Sequence, residues 1–210
     1  MSKYTAKTAL KASLIGGVAL GGIYLAAKAA KARKMPAQNI VQNVDKDKLM
    51  GTWYEIARFP NPFQGKDQVA GTDNYYPKAN GEIEVIYKYR VKSFDGPEKQ
   101  IKAKMFREEK DKPTGKFKFQ AFWPITADYW IIDLDKDYQY MAIGYPNRDM
   151  LWIMSRKPEI DDATYAALLS RLQTEQLYDV SRLMKVPQPD TAGIMPVPTV
   201  DVPAMVPASK

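Results

Sequence analysis

The chain has 210 residues, 31 Lys and Arg against 24 Asp and Glu, a formal net charge of +7 and a pI near 9.3. The excess lies in residues 1–34, where seven basic side chains meet no acid; the rest holds 24 of each sign and lacks the basic footprint that nucleic-acid binding demands. Neither histidine nor cysteine is present, which excludes disulfides, Cys/His zinc sites, imidazole-ligated haem, a thiol nucleophile and a histidine general base.

Ala12 to Ala27 is uncharged and bounded by lysines. It is shorter than the roughly 20 apolar residues of a usual span, though lysines at its ends can snorkel. Ala30-Lys31-Ala32 offers the small-residue spacing that a signal peptidase accepts. Two readings of residues 1–34 therefore stand, a cleaved signal peptide or a retained membrane anchor, and this segment is the expected membrane contact. In a retained anchor, Gly17 and Gly21 would permit a close helix crossing. Residues 35–48 read as a polar linker, with a short helical turn over Asp45 to Met50.

From Gly51 the pattern becomes that of strands. Trp53, Glu55, Ala57 and Phe59 alternate with Tyr54, Ile56 and Arg58, the period-2 signature of a strand with two faces. The loop Phe59-Pro60-Asn61-Pro62-Phe63-Gln64 follows, with two phenylalanines. Further strand-length runs are separated by turn chemistry at Lys78 to Gly81, Phe94 to Pro97, Lys112 to Gly115 and Pro146 to Asp149. Ile83, Val85 and Tyr87 alternate with Glu82, Glu84 and Lys88, and Phe117 and Phe119 with Lys116 and Lys118. The charged phase of each strand belongs in water, so the other phase faces inward. Such alternation suits a one-layer barrel.

Asp133, Asp135 and Asp137 are spaced like part of a calcium loop, but the glycine and bidentate glutamate of an EF-hand are missing, and no metal is expected. Asp161 or Asp162 can cap a helix whose Tyr165, Leu168, Leu169 and Leu172 form an apolar stripe. A short strand is expected within Leu177 to Val186. Residues 187–210 are rich in proline and read as a disordered tail.

Three segments resemble the signatures of one family, in order. Gly51-Thr52-Trp53-Tyr54-Glu55-Ile56-Ala57-Arg58-Phe59 resembles the Gly-x-Trp strand that opens lipocalins. Asp133-Leu134-Asp135 through Ile143 is similar to their second signature, and Trp152-Ile153-Met154-Ser155-Arg156 to their third. The resemblance covers about residues 45–188 and points to the bacterial and apolipoprotein D branch. It implies an all-β domain over 49–186, an eight-stranded antiparallel up-and-down barrel with one flanking C-terminal helix.

Several functional expectations follow from the resemblance. Trp53 would plug the closed end of the barrel with Arg156 packed over its ring, and Gly51 would complete that structural signature. The cavity lining would be Ile83, Val85, Tyr87, Phe117 and Phe119 from strand phase, with Tyr75, Tyr129, Ile131, Trp152 and Met154 added by family placement. Arg58, Lys66, Arg90, Lys104 and Arg107 would be either head-group contacts near the open end or solvated surface charges, and the 59–64 loop either a lid or a membrane contact. The implied function is binding and carriage of lipid amphiphiles, fatty acids or lysophospholipids, in a bacterial envelope or periplasm, with no cofactor and no catalytic group. The alternatives are an enzyme using Glu55 or Tyr87 as acid or base, and a membrane-tethered scaffold with a filled barrel. The absence of cysteine removes the lipidated anchor of many bacterial members.

Overall fold

The computed structural model describes residues 36–189; the segment 1–34, read as a leader or anchor, lies outside them, as does the tail beyond Pro189. Eight antiparallel strands follow one another: β1 (Gly51–Arg58), β2 (Gln68–Pro77), β3 (Ile83–Val91), β4 (Glu98–Arg107), β5 (Lys116–Phe122), β6 (Ile125–Leu134), β7 (Tyr140–Gly144) and β8 (Leu151–Ser155). Each pairs with the next, and β1 pairs with both β2 and β8, which closes the sheet into a barrel. Closure removes the free edges on which an open sheet would aggregate.

The four turn segments read from sequence lie between β2 and β3, β3 and β4, β4 and β5, and β7 and β8. The β5–β6 turn, at a cis Trp123–Pro124 bond, carries no glycine or asparagine and was not anticipated. A 3-10 turn over Asp47–Leu49 precedes β1. Helix α1 (Asp162–Thr174) begins at Asp161, whose carboxylate accepts from the Thr164 amide. Its Leu168 and Leu172 pack on the outside of the barrel against Ile56, Ala57, Ile132, Ala142 and Ile153. Arg171 ties the helix down by donating to both carboxylate oxygens of Asp133 on β6.

β1 departs from strict alternation. A bulge between Glu55 and Ala57 changes its phase, so Trp53, Glu55 and Arg58 turn inward while Ile56, Ala57 and Phe59 join the helix-side core. Period-2 reading placed Ala57 and Phe59 with Trp53, and the extra residue of the bulge is why that fails.

Both ends of the described chain are pinned to the barrel. In the supposed linker, Gln38 donates to the Tyr145 carbonyl and the Tyr178 hydroxyl, and Val41 and Val44 make backbone bonds to Ile131, Gly115 and Pro113. At the other end, β2 pairs with β1 only over Gly51 to Tyr54, leaving the upper half of the β1–β2 seam open. Strand β9 (Met184–Lys185) covers that stretch by pairing with Ala57 and Arg58. Pro187 accepts from the Ala70 amide, and Gln188 donates to the carbonyls of Glu55 and Gly71 across the seam. Pro187 and Gln188, read from sequence as the start of the tail, thus complete the wall because unpaired strand backbone there needs partners.

Candidate functional site

The strand directions define two ends. Gly51, Pro77, Ile83, Arg107, Lys116, Leu134, Tyr140 and Ser155 lie at one, and the other is ringed by the β1–β2, β3–β4, β5–β6 and β7–β8 loops. Trp53 closes the first end. Its indole N–H donates to the Leu49 carbonyl, and the Arg156 guanidinium carbon sits 3.8 Å from the ring centroid. Arg156 also donates to the carbonyls of Thr52 and Lys48, joining the 3-10 turn to β1 and β8. Burial lowers the Arg156 pKa to about 10, so it stays charged at neutral pH.

Above this plug the lumen has two zones. Tyr75, Ile83, Val85, Met105, Phe117, Ile131, Met141 and Met154 fill the closed half with almost no surface left to solvent. The hydroxyls of Tyr75 and Tyr129 meet there. Toward the open end, Phe119, Ala121, Tyr89, Ile101 and Trp152 retain accessible surface, and Tyr87 and Tyr129 stand at the boundary. The expected lining residues therefore share one lumen but divide between a packed floor and an accessible upper chamber.

A polar cluster interrupts the apolar wall on one side. Glu55 and Arg58, both 1% exposed, form an ion pair at 3.3 Å. The Glu55 carboxylate also accepts from the Tyr87 hydroxyl at 2.8 Å and from Gln64 at 3.1 and 3.2 Å. Gln64 descends from the β1–β2 loop, and its side-chain oxygen accepts from the Trp152 indole at 2.8 Å. The loop is thereby latched over the chamber. Gly71 makes room for this cluster, since a Cβ there would stand 2.5 Å from Glu55 Oε2. Burial raises the Glu55 pKa while Arg58, Tyr87 and Gln64 pull it back.

Asp73 lies beside Trp53 and Tyr87 in register, on the inner face of β2. Its pKa is pushed up to about 7, by burial first and then by the Glu55 charge. It nevertheless keeps part of its surface accessible. Nothing singled out Asp73, Gln64 or Gly71 in the sequence. Asp73 did carry a signal, because it shares the inward phase of Tyr75 two residues on.

The expected head-group cations do not converge. Arg58 is buried and paired, not a surface charge, because the bulge turns it inward. Lys104 pairs with Glu82, and Arg107 donates to the carbonyls of Val44 and Thr114, both toward the closed end. Arg90 holds Glu98 and the Gly96 carbonyl within its own hairpin. Only Lys66 stands on the mouth as an exposed side chain. In the expected lid, Phe59 is buried against Tyr178 and Arg182, and Phe63 alone is exposed.

Comparison with known proteins agrees with this geometry. The family described as a lipocalin-like domain matches residues 44–188. The chain is 34% identical to temperature-induced lipocalin-1 of Arabidopsis thaliana over 159 residues, covering 72% of this chain and 83% of that protein. It is 35% identical to the outer membrane lipoprotein Blc of Escherichia coli K12 over 152 residues, covering 71% and 82%. Bovine apolipoprotein D is 31% identical over 170 residues, covering 76% and 86%. Among solved structures, insecticyanin from the tobacco hornworm superposes with a TM-score of 0.60 at 18% identity, covering 75% of this chain and 87% of that one, a likeness of fold. With the closed barrel, the Trp53–Arg156 plug and the flanking helix, these relatives establish that the chain belongs to the lipocalin family.

Proposed function

We propose that this lipocalin binds and carries single-chain lipid amphiphiles, fatty acids or lysophospholipids, in the upper half of its barrel, within a bacterial cell envelope. The observation that carries the reading is the division of the lumen. The packed floor leaves the upper chamber, walled by Phe119, Ala121, Ile101, Tyr89, Tyr129 and Trp152, as the place for an apolar chain. Aromatic and aliphatic walls suit an acyl chain and fit a sugar or nucleotide poorly. About a dozen buried methylenes, at roughly 0.8 kcal/mol each, leave micromolar affinity or better after the costs of association. Relatives named outer membrane lipoprotein and the uncharged, lysine-flanked run at residues 12–27 support the envelope setting.

An enzymatic use of Glu55 fits less well. Its carboxylate already accepts from Arg58, Tyr87 and Gln64, so a proton taken from a substrate would first have to displace a buried partner. The test is native mass spectrometry of the protein from its own cells, before and after incubation with fatty acid and lysophospholipid. A stoichiometric adduct of one single-chain lipid is expected. Absence of any adduct under both conditions would favour the filled-barrel scaffold.

A further inference from the structure

The described residues expose few large apolar side chains, and they are not scattered. Phe63 (71% exposed), Phe94 (42%), Phe122 (74%), Trp123 (86%) and Ile125 (72%) all lie on loops or strand ends at the open mouth, with Leu177 the exception. They come from three separate hairpin connections that converge only through barrel closure. The exposed Pro60, Pro62, Pro97 and Pro124 extend the same apolar rim. Single exposed apolar residues need no explanation, but a cluster at one pole marks a surface that something covers.

What covers it is indicated by where the rest of the chain attaches. The first described residue, Pro36, is held at this same end, its carbonyl accepting from Arg148 in the β7–β8 loop at 2.8 Å. Gln38 adds a bond to the Tyr145 carbonyl. Lys28, Lys31, Arg33 and Lys34 directly precede Pro36 in sequence, and before them runs the uncharged stretch 12–27. This basic run therefore precedes, in sequence, the residue that is held at the mouth. Basic residues beside an apolar surface are the complement of an anionic bilayer, and Trp and Phe are side chains suited to its interface.

We propose that the open mouth docks onto an anionic phospholipid membrane, with Trp123, Phe122, Ile125 and Phe63 entering the interface and the basic run that precedes Pro36 in sequence favouring anionic lipid. In this pose the upper chamber faces the lipid surface, so an acyl chain could pass between bilayer and barrel with little of it crossing water. The pose stands on the rim and the attachment point, and it holds whether or not the chamber binds lipid.

The test uses the full chain on vesicles of phosphatidylglycerol and phosphatidylethanolamine, with bromine atoms on the acyl chains as quenchers of tryptophan emission. Quenching is expected, and Trp123→Phe should remove most of it, because Trp53 is sealed in the barrel, Trp152 lies inside the mouth and Trp130 packs on the outer wall under Lys116. Phe63→Ser/Phe122→Ser/Ile125→Ser, which touches no core residue, should cut the quenching of Trp123 by about tenfold as apolar surface leaves the interface. Protein bound to the vesicles without quenching of Trp123 would overturn the proposal by showing that the mouth points away from the bilayer. A concentration-dependent burial of Trp123 in lipid-free solution would overturn it in favour of a second copy of the chain. Loss of single-chain lipid binding with Trp123 quenching intact would instead count against the carrier function alone.

Discussion

Glu55 and Arg58 meet at 3.3 Å inside the barrel, although three residues along a regular strand would put them on opposite faces. The bulge between Glu55 and Ala57 makes the meeting possible, and Gly71 on the facing strand leaves the space. Removing one partner strands a buried charge, so Arg58→Met should destabilise the fold by about 3–5 kcal/mol. Glu55→Gln/Arg58→Met should recover much of that loss. Urea unfolding of the single and double variants checks the coupling; equal and additive losses would contradict it.

Asp73 links stability to pH. Its pKa rises from 3.8 in a free chain to about 7 in the fold, so the folded protein holds the proton more tightly than the unfolded one. This group therefore favours the folded state most at low pH. This contribution is full below about pH 4 and is lost as pH rises toward 7, with a slope of at most about 1.4 kcal/mol per pH unit. The raised pKa of Glu55 acts in the same direction. Asp73→Asn should flatten the decline, measured as the urea midpoint across that range.

Arg156 seals the closed end by lying 3.8 Å from the Trp53 centroid while donating to Thr52 and Lys48. The cation–π contact contributes about 0.5–2 kcal/mol and each charged hydrogen bond about 1.5–3. Arg156→Ala should therefore cost several kcal/mol and lower the Tm markedly. Arg156→Lys should recover little, because an ammonium cannot cover the ring and span both carbonyls at once. Thermal unfolding of the two variants gives the comparison.

Gln188 bridges the β1–β2 seam from outside the eight barrel strands. Gln188→Ala leaves two carbonyls short of a donor and should cost about 1–2 kcal/mol. Hydrogen exchange at Ala70, whose amide donates to Pro187, should speed up in that variant while exchange in the Trp53 region stays slow.

Much of the fold was legible because its signals are local. Ile83, Val85 and Tyr87 against Glu82, Glu84 and Lys88 fixed the face of β3, and glycine- or proline-bearing turns marked the hairpins. The site was legible only in its apolar part, since an inward aromatic announces itself by phase. Arg58 and Gln64 were not, because a bulge and a descending loop bring them into the lumen and neither leaves a periodic trace. The packed floor was also hidden. Whether Met105 and Met141 fill a space or border it depends on how strands far apart in sequence approach one another. The exposed tip at Trp123 escaped for a related reason, as Phe122-Trp123-Pro124-Ile125 sets a single proline among apolar residues and looks like continuous strand.

The most direct test of the central claim is titration of the protein with a fatty acid brominated near the end of its chain, following Trp152 emission. Saturable quenching that disappears in Trp152→Phe and weakens by about tenfold or more in Ala121→Phe, which would fill the upper chamber, is the predicted result. Quenching that fails to saturate, or that Ala121→Phe leaves unchanged, would contradict a lipid chain bound in the upper lumen.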